Sequence, residues 1–231
     1  ASAMKNNLLV RSRTSLALRL SLLMGIPSAV GMFILAEPIM VLIYRNAAAG
    51  KPLAFLSFAV IFIALYQTSS AVLQGLGKVH IPLINLSIGA IIKILLNWYL
   101  VALPTLNING AAIATVAGFL VSSLLNLYWL KSLTGLKLNY IRTFFKPALA
   151  AAFMGLAVYF SYTYSVSLLQ APLLGALSFN QANALATFGA IFVGIISYGL
   201  ALFALGVLDK HDFLVIPRIG PKILTVAQKL R

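Results

Sequence analysis

The amino-acid sequence predicts an all-α, polytopic membrane bundle of about six transmembrane helices, and three observations predict it. Apolar residues make up 61% of the 231 and mean hydropathy is +1.01. A soluble core of this size could not hide that much apolar surface, so lipid must solvate much of it. The apolar residues fall into six runs near the ~20 residues that cross a hydrocarbon layer of about 30 Å. Of the 17 Lys and Arg, only Lys93 lies within a run, and the others fall overwhelmingly in alternate connections.

Residues 1–19 form a basic lead-in carrying Lys5, Arg11, Arg13 and Arg19. The first span, Leu20 to Tyr44, contains Pro27 between Gly25 and Gly31. Proline removes one helical hydrogen bond, so a kink is expected there. Two readings follow: a hinge that bends during transport, or a static kink satisfied by neighbouring helices. Glu37, directly before Pro38, is the only acid within the spans. It is a candidate for proton or cation coupling, or it simply reaches the interface.

The second span, Pro52 to Leu73, starts on a proline in its first turn and stops at the Gly75, Gly77 pair. Gln67, Thr68, Ser69 and Ser70, with Gln74 at the end, must find partners or water, because unsatisfied polar groups in hydrocarbon cost several kcal/mol. In the third span, Ile81 to Leu103, Asn85, Lys93 and Asn97 interrupt an apolar helix at spacings close to one face. An ammonium near mid-depth costs about 2.5 to 3.5 kcal/mol on insertion scales. It normally faces a bundle interior or a watery cavity, which makes Lys93 the first functional candidate; snorkelling along the helix is the alternative.

The fourth span, Ile108 to Leu130, carries Gly110, Ala114, Gly118, Ser122 and Asn126 at four-residue spacing. Small side chains on one face let two backbones approach, so this stripe is expected to meet another helix. The last two spans are Pro147 to Leu169 and Ala184 to Leu208. Beyond them, residues 209–231 include a short amphipathic pattern after Pro221, with Ile223, Leu224, Ala227 and Leu230 on one face. It reads either as an interfacial helix on anionic lipid or as a solvated tail.

Fourteen cations lie on the face that holds both termini, against Arg45 and Lys51 on the other. Lys and Arg are retained on the cytoplasmic side, so both termini are expected there, in the plasma membrane. The net charge of +14 is therefore a topology signal; nucleic-acid binding would need a basic face on a folded module. Tyr44, Trp98, Tyr99, Tyr159, Tyr162 and Tyr164 mark outer ends, and Tyr128, Trp129, Phe144 and Phe145 inner ones. Without cysteine, and with His80 and His211 in separate connections, neither a metal cluster nor an acid–base pair can be assembled. No cofactor and no catalytic residue is expected. The polar, basic start at Ala1 reads as part of something longer.

The run Ser70-Ala-Val-Leu-Gln-Gly-Leu-Gly-Lys-Val-His-Ile-Pro82, then Asn85-Leu-Ser-Ile-Gly-Ala-Ile-Ile-Lys-Ile-Leu-Leu-Asn97, then Ile108-Asn-Gly-Ala-Ala-Ile-Ala-Thr115 resembles the stage V sporulation protein B group of polysaccharide transporters and lipid II flippases. Gly25-Ile-Pro-Ser-Ala-Val-Gly31, Leu35-Ala-Glu-Pro-Ile39 and Ile216-Pro-Arg-Ile-Gly220 are also similar to that group. The resemblance implies a fourteen-helix, two-lobe transporter of the multidrug/oligosaccharidyl-lipid/polysaccharide superfamily, with this chain as helices nine to fourteen. Residues 20–130 would belong to the second lobe and 131–208 would be two C-terminal helices, with the N-terminal lobe as partner. It implies a polyprenyl-linked saccharide or peptidoglycan precursor carried across by alternating access. A multidrug exporter of the same superfamily is the alternative.

Some family members hold sodium with an Asn, a carboxylate and a Thr; the matching positions are Asn97, Lys93 and Thr115. A lysine there would repel a metal while its ammonium occupied the same niche. With the polar residues of the second and third spans, the transport-cavity candidates are Lys93, Asn97, Asn85, Thr115, Gln67 and Gln74.

Overall fold

The computed structural model describes residues 2–136, 141–170 and 178–207. Its helices are α1 (Ser2–Ile34), α2 (Ala36–Tyr44), a 3-10 turn (Ala47–Ala49), α3 (Gly50–Ser57), α4 (Ala59–Gly75), α5 (His80–Val101), α6 (Ile108–Thr134), a π turn (Ile141–Phe145), α7 (Lys146–Leu169) and α8 (Phe179–Ala204). Five are long and apolar enough to cross a membrane, or up to six with the segment through α3 and α4 counted as one bent span. The chain is a multi-pass, all-helical membrane protein. Lys137, His211 and the amphipathic pattern after Pro221 lie outside the described residues.

Three helix boundaries depart from the expected spans, each for a local reason. The helix continues through Pro27, and the interruption falls at Leu35. Pro38 has no N–H to give the Ile34 carbonyl four residues back, whereas Leu35 and Ile39 still donate to Gly31 and Leu35. The second span bends by 40° at Phe58, with neither proline nor glycine there. Ser57 donates its hydroxyl to the Ala54 carbonyl at 2.7 Å, the acceptor a regular helix would offer to Phe58. The Phe58 N–H turns to Leu56 instead. α8 starts five residues before the expected Ala184, because Ser178 and Gln181 form a reciprocal capping box.

The helices follow the spatial order α5, α6, α4, α1, α7, α8. Leu18, Leu22 and Ile26 of α1 meet Leu65 and Leu73 of α4 and Leu130 of α6 in the main cluster. On the other side of α1, Ala150, Ala151, Met154 and Val158 of α7 are buried. Gly155 brings α7 close to α1: a Cβ there would meet Ile34 Cδ1 at 2.9 Å and Val30 Cγ1 at 3.0 Å. Lipid tails are as apolar as leucine, so such close van der Waals packing and hydrogen bonds hold the helices together. Many outward rings and branched chains, with Trp98 at 84% exposure, are left to lipid.

The predicted small-residue stripe is packed away. Gly110, Ala114, Gly118, Ser122 and Asn126 are all buried. A Cβ on Gly118 would stand 2.8 Å from the Gly89 carbonyl oxygen, and one on Gly110 would stand 2.6 Å from the Leu100 carbonyl carbon. α5 and α6 therefore touch backbone to backbone along most of their length.

Candidate functional site

Where α4, α5 and α6 converge, three polar side chains close on one another. Asn85 donates its Nδ2 to Asn126 Oδ1 at 2.8 Å, and Asn126 donates its own Nδ2 to Ser70 Oγ at 2.8 Å. All three are buried. In a low-dielectric interior such bonds are favourable because the alternative is an unsatisfied amide. The neighbouring Ser69 donates to the Leu65 carbonyl at 2.7 Å. Of the predicted cavity residues, Asn85 is thus a tie between helices. It also lines a cleft of about 340 Å³ with Lys78, His80 and Trp129.

Lys93 and Asn97 are exposed, although Asn85 and Gly89 of the same nominal stripe are buried. Helix geometry explains the divergence. The part of α5 turned toward α6 runs through Asn85, Gly89, Ile92, Leu96 and Leu100, a seam with 3- and 4-residue steps, and Lys93 and Asn97 lie one position off it. The base of Lys93 still abuts α6, since a Cβ on Gly118 would approach Lys93 Cβ to 3.0 Å. Beyond that stem, neither Lys93 nor Asn97 hydrogen-bonds among the described residues.

Thr115 donates to the Ala111 carbonyl of its own helix at 2.9 Å. It lines a cavity of about 570 Å³ between α2, α3 and α6, where Met40, Asn46 and Leu53 also contribute and Lys93 and Asn97 do not. Gln67 and Gln74 are exposed on α4, with no hydrogen bond among the described residues. Glu37 is exposed on α2 beside the start of α3, where its Cα would stand 2.7 Å from a Cβ on Gly50. No hydrogen bond or ion pair of its carboxylate occurs among the described residues. The candidates therefore occupy several places, with only Asn85 joined to polar neighbours.

Contacts around the two prolines of the first span involve residues that sequence reasoning missed. Tyr198 of α8 donates its hydroxyl to the Leu23 carbonyl at 2.8 Å, the acceptor that Pro27 leaves without a helical donor. Ser28 donates to the Met24 carbonyl at 2.7 Å. Near Pro38, Asn183 of α8 donates to the Pro38 carbonyl at 3.1 Å and accepts from Tyr162 of α7 at 2.8 Å. A tyrosine in the middle of an apolar span was the available signal for Tyr198, since its hydroxyl needs a partner there.

At the end of the bundle that holds the start of α1, cations meet helix C-termini. Arg11 donates to the Thr134 carbonyl at 2.7 Å, where Gly135 ends α6 in the left-handed region at φ 61°. Arg19 donates to the Val207 carbonyl and Lys146 to the Leu205 carbonyl at 2.9 Å. These are the last carbonyls of α6 and those just past α8, which carry unsatisfied acceptors and partial negative charge. Three residues read from sequence as topology charges thus also tie α1 and α7 to neighbouring helix ends.

A family profile described as lipid II flippase MurJ matches residues 1–177. Among curated proteins of Bacillus subtilis (strain 168), the chain is 29% identical over 224 residues to the uncharacterized membrane protein YabM. It is 27% identical over 218 residues to stage V sporulation protein B and 28% identical over 160 residues to lipid II flippase MurJ. These alignments cover 96%, 93% and 66% of this chain, and 40%, 39% and 29% of the respective relatives.

Proposed function

Because this chain belongs to the lipid II flippase family, we propose that it forms the second-lobe and C-terminal part of a flippase in the cell membrane. Its substrate would be a polyprenyl-linked oligosaccharide or peptidoglycan precursor, moved by alternating access against a first lobe outside these residues. The observation that carries the reading within the chain is Lys93: an ammonium on a membrane span, exposed beside a tightly packed seam and without a hydrogen-bonding partner among the described residues. Burying it in lipid would be costly, and an internal aqueous cavity shared with the first lobe relieves that cost.

In that cavity the ammonium supplies a fixed counter-charge toward an anionic, diphosphate-bearing headgroup, and Asn97, one turn on, supplies amide donors and an acceptor. The same charge disfavours a metal cation at this place. Asn85 supports the site by fixing α5 to α6, so that the seam, and with it the direction of Lys93, is set. Both chain ends are assigned to the cytoplasm by the cation distribution. The test is complementation of a flippase-deficient strain by the full-length protein, with translocation of a labelled lipid-linked saccharide in proteoliposomes as the direct measurement. Failure of both at normal membrane abundance overturns the proposal.

A further inference from the structure

We propose that the cleft between the first turn of α5 and the last turns of α6 binds the phosphate of an anionic lipid whose headgroup also carries hydroxyls. The cleft has a volume of about 340 Å³, and its walls include Lys78, His80, Asn85, Trp129 and Leu133. It opens at the bundle end where Arg11, Arg19 and Lys146 meet helix termini, so it lies at the membrane interface in the proposed membrane placement. The inference rests on that placement and not on transport.

Four features select the ligand. Lys78 is exposed and makes no hydrogen bond or ion pair through its side chain among the described residues. It stands two residues ahead of α5, so the positive end of that helix adds to its charge. No carboxylate lines the cleft, which leaves an anion unopposed. Trp129, at 41% exposure, offers an indole face and edge at the level where such rings favour headgroups.

The fourth feature is Asn85, only 2% exposed, which has already given Nδ2 to Asn126. Its Oδ1 accepts nothing among the described residues, yet the residue lines the cleft. That amide oxygen keeps accessible surface although the residue is nearly buried, so it is a free acceptor that a ligand hydroxyl entering the cleft can reach. A cation for phosphate and an acceptor for a hydroxyl therefore share one cavity. Basic pockets between membrane helices are a recurrent means of holding lipid headgroups. Two sources present this chemistry: a phosphatidylglycerol of the bilayer and the sugar diphosphate of a lipid-linked saccharide.

Trp98 and Trp129 are the chain's two tryptophans, so Trp98→Phe leaves Trp129 as the reporter. The chain in phosphatidylcholine nanodiscs is titrated with phosphatidylglycerol in one arm and with a polyprenyl-diphosphate disaccharide in the other. A saturable change in Trp129 emission is expected in at least one arm. Lys78→Gln should raise the half-saturating mole fraction about tenfold, and Lys78→Arg should restore most of the response. Helical content measured by circular dichroism checks that the exposed Lys78 variants fold. A response to phosphatidylglycerol alone identifies a bilayer lipid, and a response to the disaccharide identifies the lipid-linked substrate class. No saturable response in either arm, or an unchanged titration in Lys78→Gln, overturns the proposal. The readout is binding without translocation, so it is independent of whether the protein flips lipid.

Discussion

The Tyr198 hydroxyl donates to the Leu23 carbonyl at 2.8 Å, supplying from α8 the hydrogen bond that Pro27 removes from α1. This contact favours a proline region supported by its neighbour in the described conformation. Tyr198→Phe should destabilise the folded protein by about 1 kcal/mol, the usual scale of one interhelical bond. Pro27→Ala restores a helical donor to Leu23, so in that background Tyr198→Phe should cost much less. Unfolding by steric trapping in bicelles measures the cycle. Equal costs in both backgrounds would show that the two positions act independently.

The contact between Gly89 and Gly118 has no room for a side chain. A Cβ on Gly118 would lie 2.8 Å from the Gly89 carbonyl oxygen, nearer than real Cβ atoms come to backbone. Gly118→Ala should therefore push α5 from α6 at a cost of roughly 1–3 kcal/mol. Gly199, with no neighbouring atom within 4 Å of a built Cβ, is the control: Gly199→Ala should be neutral or slightly stabilising in its helix. Thermal unfolding of the purified variants decides, and equal behaviour of the two would contradict the packing account.

Asn126 stands between two partners, and Ser70 and Asn85 each have one contact with it. Asn126→Ala strips both at once and should cost about 2–3 kcal/mol, more than Ser70→Ala. Replacing Asn85 and Asn126 together by Leu removes the stranded partner, so the pair should cost less than the sum of the single changes. Additive losses would mean that the three side chains do not act as a network.

Ser178 and Ser132 are exposed at opposite ends of the bundle. Under the proposed orientation, Ser178→Cys in intact cells should react with an impermeant thiol reagent and Ser132→Cys should be protected. The reverse pattern would invert the orientation while leaving the fold unchanged.

Lys93→Met keeps the apolar stem against Gly118 and removes the charge. It should abolish complementation and leave membrane insertion intact or improved, whereas Lys93→Arg should retain part of the activity. Membrane abundance is measured in parallel. Full complementation by Lys93→Met at equal abundance would make the residue a structural one.

The sequence by itself determined the helical class, the order of the spans and the packing face of α6, because these depend on run length, local punctuation and a repeat that small side chains make visible. Even the bend at Phe58 and the start of α8 had local signs, in the hydroxyl of Ser57 and in the Ser178 and Gln181 pair. Tertiary structure alone decided which polar residues meet. Ser70, Asn85 and Asn126 come from three helices, and Tyr198 lies 175 positions from the carbonyl it satisfies. It likewise separated Asn85 from Lys93: a four-residue stripe is only approximately a helical face, and the seam between α5 and α6 takes a three-residue step after Gly89. That step buries the amide and leaves the ammonium on the flank, since interhelical contact follows the geometry of both helices while sequence spacing records only one.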